Sequence, residues 1–491
     1  MANPIKQLAG ETAIYGLSTI LARIINFVLV PVYTRVLTQA SYGVVTELMS
    51  WIGVLQVVLV LGLETGCFRF ANKEGADPRK VYGNAFVAVF GVSAAFLAIA
   101  IAFADPISSI LGYDGFGCVV RYMGGILAMD SVTAILFARL RQDHKALKFA
   151  VVKTLKIFAE LGCNLYLFLS PSKPAWIFNF VSTTPDFSYV IFSIFFSCIL
   201  CTVLLIPEFF RLSLRLDRRL LRDMLLYSLP LMVAALPGVV NDLLDRILFR
   251  WFDTSSQEWR ATLGVYQAAV KLSVIMNLCI QMFRYAAEPF FFQRAKDKGS
   301  KELYAKVMTY FVAFCCLVLL AVVCYMDVLA LILGRDFRGA IAVVPVMLLS
   351  YILLGMLFNV NMWYKLGGKT SMAIWITLLG LAVTAAVNIC FMPRFSYWAS
   401  AFGHLLSYLA MLLLSVRLGN RYYPVPYEWK RIFSLFALTA AGYGLLLLCS
   451  DMSGMWMRLG CGTLVLLAFC GAVFPILKNC GKNFGTPLAK E

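Results

Sequence analysis

The sequence predicts an all-α polytopic membrane protein with about 14 transmembrane helices, in two pseudo-symmetric six-helix lobes followed by two C-terminal helices. Three observations lead to this fold class. Of the 491 residues, 61% are hydrophobic and only 14% are charged, with a mean hydropathy of +0.81, whereas soluble proteins carry about 25% charged residues. Apolar runs long enough to cross a hydrocarbon core of ~30 Å recur along the whole chain. Basic residues are concentrated in alternate connections between those runs.

Each predicted transmembrane helix is an apolar run that ends at turn or charged residues. The first run follows Lys6 and is too long for the apolar region of a signal peptide, so we expect it to be a membrane helix. The predicted spans are Thr12–Val36, Tyr42–Leu63, Val81–Phe103, Cys118–Phe137, Phe149–Leu169, Tyr189–Ile206, Met224–Phe249, Leu263–Phe283, Leu303–Met326, Ala340–Met362, Ser371–Met392, Ala399–Val416, Ile432–Cys449 and Trp456–Leu477.

The distribution of Lys and Arg predicts the orientation of the chain. An even number of spans places both termini on one side, and the connections on that side hold about 28 Lys and Arg residues against 8 on the other. Because basic connections stay in the cytoplasm, both termini of this multi-pass protein are predicted to be cytoplasmic. The net charge of +17 therefore reports orientation, and nucleic acid is not expected as a partner.

The chain is predicted to consist of two related halves. The most basic connection, Arg211–Asp223, separates an N-lobe of residues 1–222 from a C-lobe of residues 223–431, and residues 432–491 form the last two helices. Each half begins with a Tyr-led helix, reaches an Arg near its outer end, and opens its second helix with a Gly/Tyr pair. Repeats with an even number of helices keep the same orientation, so the lobes should be related by an axis along the membrane normal.

Charged residues inside the predicted spans mark the candidate functional site. An ion in hydrocarbon is costly, so these residues should face protein or water, as in the helix-seven stretch "ALPGVVNDLLDRILFRWF". Pro230 and Pro237 should interrupt the regular geometry of that helix. The i,i+4 spacing predicts the ion pairs Asp242–Arg246 and Lys156–Glu160. The candidate cavity cations are Arg23, Arg121, Lys153, Lys156, Arg246 and Lys271, and the candidate gate or coupling-ion acids are Asp130, Glu160, Asp242 and Asp245.

The sequence gives no indication of a catalytic, metal or nucleotide site, so we expect no cofactor and no enzyme activity. The 14 cysteines are scattered, and the Cys198/Cys201 pair lies within an apolar run. His144 and His404 are isolated from other metal ligands. The "LGGKT" stretch resembles a phosphate loop, but Trp363 occupies the position of its first glycine.

Several stretches in order resemble one family of membrane proteins. The opening "GETAIYGLSTILARIINFVLVPVYTRVLTQASYGVVTEL" is similar to that of polysaccharide-biosynthesis flippases, the Wzx-like branch of the multidrug/oligosaccharidyl-lipid/polysaccharide exporter superfamily. "DRILF", "LGVYQAAVKL", "EPFFFQRA" and "WYKLGGKTSMA" match later features of that family. Peptidoglycan-precursor flippases carry a second Arg and an Asp in the first helix where this chain has Leu29 and Val30, which disfavours that substrate.

The resemblance implies a MATE/MurJ-like fold with a central cationic cavity that alternates access between the two sides. The implied activity is moving a polyprenyl-pyrophosphate-linked oligosaccharide from the cytoplasmic to the outer leaflet of a bacterial cytoplasmic (inner) membrane. Membrane lipid and other glycan-assembly proteins are the implied partners. Arg and Lys would match phosphate oxygens, while the same charges equally suit structural ion pairs. A drug/cation antiporter of the same superfamily and an integral-membrane glycosyltransferase or polymerase are the alternatives.

Overall fold

The computed structural model describes residues 16, 20–21, 23–171, 173–254, 258–295, 297, 299–450 and 454–478, and all regular structure in these ranges is helical. The start of the predicted first span, Thr12–Val36, lies outside the described residues. Within that span, residues 23–28 are helical, and α1 follows at Val30–Val36.

The helices alternate with short connections. The bounds of the remaining helices are α2 Gln39–Leu59, α3 Leu63–Ala71, α4 Pro78–Ala102, α5 Ala104–Ile110, α6 Gly117–Gln142, α7 Ala146–Leu169, α8 Phe187–Phe209, α9 Arg218–Phe252, α10 Trp259–Leu272, α11 Val274–Arg294, α12 Ser300–Cys324, α13 Met326–Leu329, α14 Val344–Val360, α15 Met362–Leu366, α16 Met372–Phe395, α17 Tyr397–Tyr422, α18 Trp429–Ser450 and α19 Met455–Lys478. Short 3-10 helices lie at Ala175–Asn179, Ala330–Ile332 and Arg335–Val343.

Eleven helical stretches in the described ranges are long and apolar enough to cross a membrane, or 12 if the bent pair α10–α11 forms one span. Two of the 14 predicted spans are not among these 12. One is the first span, which is only partly described, and the other is α7, whose Lys153, Lys156 and Glu160 reduce its apolar character. The all-helical multi-pass fold is confirmed, and the number 14 stays a prediction.

Two predicted helices differ in shape from the expectation. Helix α9 runs through both Pro230 and Pro237 as one helix of 35 residues, so the predicted interruption is not observed. A proline removes only one backbone donor, and the remaining hydrogen bonds of the turn sustain the helix. The predicted eighth span is instead two helices, α10 and α11, which meet at Ser273 with a bend of 49°.

The described chain divides into two compact units. The first holds residues 1–251 and 256–264, so it includes nearly all of α9, and the second holds 252–255 and 265–491. The division into lobes at residue 222 that the sequence suggested remains a prediction. In the first unit, α3, α4, α6, α7 and α8 pack around buried apolar side chains such as Tyr82, Ile135 and Leu205.

In the first unit, α2 and α10 cross at two glycines that the sequence pairs as equivalents. A Cβ on Gly43 would lie 1.9 Å from the carbonyl oxygen of Arg260, and a Cβ on Gly264 would lie 2.1 Å from that of Gln39. Only residues without a side chain permit such close approach of two helix backbones. The Gly/Tyr pair that opens the second helix of each half thus has a packing role.

Candidate functional site

Helices α6 and α7 bring two predicted site residues into direct contact. The Lys156 ammonium lies 2.6 Å from Oδ1 of Asp130, with 21% of the lysine side chain and 29% of the aspartate side chain exposed. The Cys198 thiol on α8 donates to the same Asp130 oxygen over 3.3 Å. Both ions are thereby compensated between the helices of the first unit, where an unpaired ion would be costly.

This pairing differs from the predicted Lys156–Glu160 ion pair. Helical spacing indicates which residues share a face, but Asp130 lies on a neighbouring helix and is closer than the acid one turn away. Glu160 is half-buried on the same face of α7. Its backbone carbonyl accepts from Asn164, whose side-chain oxygen accepts from the Tyr33 hydroxyl over 3.0 Å.

Lys153, one turn before Lys156, has a different environment. Its ammonium lies 4.8 Å from the ring centroid of Phe149 and 5.5 Å from that of Phe137. Within the described residues, no carboxylate lies within ion-pair distance of Lys153. Aromatic faces attract a cation but supply no countercharge, so Lys153 differs from Lys156 in having no ion-pair partner among the described residues.

The other predicted residues lie in separate environments. Arg121, near the start of α6, is half-exposed and 3.7 Å from Asp105. On α9, Asp245 is fully buried, with its Oδ1 4.0 Å from Nε of Arg246, and Asp242 is exposed. Arg23 is half-buried in the first helix, and Lys271, also half-buried, lies on α10 in the second unit.

A second charged cluster in the first unit contains residues that the sequence had not placed together. Glu47 on α2 is fully buried and accepts a short hydrogen bond from the Tyr113 hydroxyl. Nη1 of Arg250, at the end of α9, lies 3.9 Å from Glu47 Oε1. Arg250 also donates to the carbonyl of Ile110 over 2.5 Å, and Arg260 donates to that of Gly112 over 2.6 Å.

This Glu47 cluster ties the α5–α6 connection to α9 and α10. The Arg260 guanidinium also lies 4.9 Å from the centroid of the Tyr113 ring. Burial and the adjacent Glu47 carboxylate raise the pKa of the Tyr113 hydroxyl above its usual range, because the phenolate would be desolvated beside another negative charge. Both arginines were visible as basic residues of outer connections, but their partner Glu47 is about 200 residues away in sequence.

Neither cluster is arranged as a metal centre. In the part of the chain that the structure describes, no three His, Cys, Asp or Glu side chains are grouped so that they could hold a metal ion. Cys198 and Cys201 are buried free thiols on α8. The first unit holds cations and acids on packed helices, an arrangement that suits binding of a charged group.

Comparison with known proteins identifies relatives in sequence and fold. A family model described as "Polysaccharide biosynthesis protein" matches residues 8–294. A search of curated proteins finds no significant match. The chain is similar in structure to the lipid II flippase MurJ in an inward closed conformation, with a TM-score of 0.72 and 11% identity over 94% of this chain and 99% of that one.

Two MATE transporters share the same architecture. One is an inward-facing multidrug resistance transporter of the MOP superfamily, with a TM-score of 0.58 and 11% identity over 87% of this chain and 96% of that one. The other is a variant of the Vibrio cholerae transporter VcmN, with a TM-score of 0.56 and 14% identity over 86% and 98%. At these identities the likeness concerns the fold, and it confirms the predicted MATE/MurJ-like class.

Proposed function

Because the chain belongs to the polysaccharide biosynthesis protein family, we propose that it is a flippase that moves a polyprenyl-pyrophosphate-linked oligosaccharide across the cytoplasmic membrane by alternating access. The family match covers more than half of the sequence, and the fold is the one found in a solved lipid-linked substrate flippase. In this proposal the protein is not an enzyme, since it carries an intact substrate from one leaflet to the other.

The observation that carries the proposal is that Lys153 has no ion-pair partner among the described residues. Its neighbour Lys156 is already paired with Asp130. The Lys153 ammonium lies over the Phe149 and Phe137 rings, and Glu64, the acid that attracts it electrostatically, is already paired with Arg141. A pyrophosphate offers the oxygens that such a cation lacks, and a charge-assisted contact would strengthen in the low dielectric of the lobe. Lys153 is therefore the first candidate for headgroup contact, together with Arg23 and Lys271.

The acids have a complementary role in the proposal. Asp130 holds Lys156 in place. The candidates for a gate or for binding a coupling ion are Glu160, one turn further along α7, and the α9 acids Asp242 and Asp245. Arg121 and Arg246 each lie beside an acid, Asp105 and Asp245 respectively. We assign these two arginines a structural role first, with substrate contact as their second role.

The proposal is tested by a transport assay with matched lysine variants. The full chain is reconstituted in liposomes with a fluorescent prenyl-pyrophosphate-linked sugar, and flipping is followed as loss of protection from a membrane-impermeant quencher. Lys153→Met should lower the flipping rate by about tenfold or more, as expected when a charged contact worth about 1.5–3 kcal/mol is lost. Lys153→Arg should retain part of the rate.

The control is Lys430→Met, because Lys430 is an exposed lysine at the start of α18. It should leave the rate unchanged. A normal rate for Lys153→Met at equal protein density would remove Lys153 from the substrate path. Absence of flipping by the unmodified chain, combined with proton-driven efflux of a cationic dye, would favour the antiporter alternative.

A further inference from the structure

The connection between α8 and α9 is hydrogen-bonded to the start of α4. The backbone N–H of Ser213 donates to the carbonyl of Arg79 over 3.2 Å, and that of Asp217 donates to the side chain of Asn84 over 2.8 Å. A Cβ on Gly83 would lie only 1.9 Å from the Ser213 carbonyl oxygen, so the glycine permits this contact. The connection is thus held by fixed hydrogen bonds, although it contains no regular structure between residues 213 and 217.

This fixed geometry turns apolar side chains outward. Leu212 is buried, whereas Leu214 and Leu216 are each nearly half-exposed and Phe210 is 76% exposed. Leu214 and Leu216 therefore expose apolar surface in a segment whose other residues from 215 to 219 are charged and exposed. Leu226 on the first turns of α9 adds a further exposed apolar side chain.

The same surface carries a group of exposed basic residues without acidic partners. We call this group the basic surface, and within the described residues none of its members forms an ion pair. Its members are Arg79, Lys80, Arg215, Arg218, Arg219 and Arg222.

Nearby cations behave differently. Arg211, Lys145 and Lys148 all converge on the buried carboxylate of Glu208, at 3.3, 3.6 and 2.6 Å. The nearby acids Asp77 and Asp217 are occupied as caps, since Asp77 accepts from the backbone N–H of Arg79 and Asp217 from those of Arg219 and Leu220. The six cations of the basic surface outnumber the exposed acids among them, Asp77, Asp217 and Asp223, so this surface presents a net positive charge to a partner outside the chain.

We propose that the basic surface binds anionic phospholipid, with phosphatidylglycerol as its occupant. Exposed leucines at the junction of two membrane helices insert among acyl chains, and the arginines beside them then lie at the depth of the phosphates. Clusters of four to eight basic residues next to a membrane helix are the pattern that recognises anionic headgroups. A soluble acidic partner would not account for the outward leucines. This inference stands independently of what the chain transports.

Binding of lipid to the full chain is measured by native mass spectrometry after purification in detergent, with phosphatidylglycerol and phosphatidylcholine as the two probes. The unmodified chain should retain phosphatidylglycerol in preference to phosphatidylcholine. Each arginine near a membrane surface contributes about a fivefold change in binding, so R215Q/R219Q should weaken retention of phosphatidylglycerol about 25-fold. L214S/L216S should weaken retention of both lipids.

The matched control is R335Q/R394Q, which removes two exposed arginines at the predicted outer end of the chain. This variant should retain phosphatidylglycerol as the unmodified chain does. Cross-linking by a photoreactive phosphatidylglycerol should map to residues 210–222, and thermal unfolding verifies that each variant is folded. Equal retention of both lipids by the unmodified chain, equal losses in the two arginine variants, or displacement of phosphatidylglycerol from this segment by a prenyl pyrophosphate would each overturn the proposal.

Discussion

The contact between Lys156 and Asp130 predicts a measurable coupling energy between two helices. The two charged groups lie 2.6 Å apart, with 21% and 29% of their side chains exposed. Losing one partner of a buried ion pair costs about 3–5 kcal/mol, whereas exposed pairs contribute about 0.2–1 kcal/mol. For this partly exposed pair we expect a coupling energy of about 2 kcal/mol, between those limits.

A double-mutant cycle with Asp130→Asn, Lys156→Gln and the double variant measures this coupling. The free energy of unfolding is obtained from denaturation in mixed micelles with increasing SDS. Each single variant leaves one charge or dipole uncompensated between α6 and α7, so each should destabilise the chain. The double variant should lose about 2 kcal/mol less than the sum of the two single losses, because it strands neither ion.

The control cycle uses Asp105 and Arg121, which are 3.7 Å apart with 78% and 50% of their side chains exposed. Solvent screens such a pair, so this coupling should be below about 0.5 kcal/mol. If the losses in free energy of unfolding of Asp130→Asn and Lys156→Gln add to within about 0.5 kcal/mol in the double variant, the contact does not stabilise the first unit. The argument that Asp130 neutralises Lys156 then fails.

Three further predictions concern single residues of the first unit. Arg23→Ala should abolish flipping in the liposome assay at unchanged membrane abundance, while Arg23→Lys should retain part of it; a normal rate for Arg23→Ala would exclude Arg23 from the site. Gly43→Ala should destabilise the chain by about 1–3 kcal/mol through overpacking against the Arg260 carbonyl, whereas Gly162→Ala, which meets open space, should not destabilise it in the same SDS denaturation. Tyr113→Phe should reduce the loss of stability above a pH of about 10, where unfolded tyrosine ionises but folded Tyr113 keeps its proton; identical pH profiles for the two proteins would contradict the assigned environment.

The sequence predicts the fold class well because the membrane imposes long apolar runs and an asymmetric placement of basic residues. The sequence does not predict which residues of different helices contact one another. Lys156 was assigned to Glu160 on the same helix, and its partner is Asp130, 26 residues earlier. The Glu47 cluster likewise joins α2 with residues 113, 250 and 260, and no local periodicity connects those positions. Helical spacing specifies a face, but only packing determines which faces meet.

The cations of the first unit differ in whether an acid lies within ion-pair distance. This difference determines what the replacement of each cation can show about substrate binding. Lys156 and Arg121 have acidic partners, so replacing either one changes stability as well as any contact with substrate. Lys153 has no ion-pair partner among the described residues, and Glu64, the acid that attracts it, keeps its own partner Arg141, so replacing Lys153 leaves no acid without a partner. Loss of transport in Lys153→Met without loss of stability would therefore point to substrate binding. The same loss in Lys156→Gln would not, unless Asp130→Asn/Lys156→Gln, which leaves no acid behind, is equally inactive.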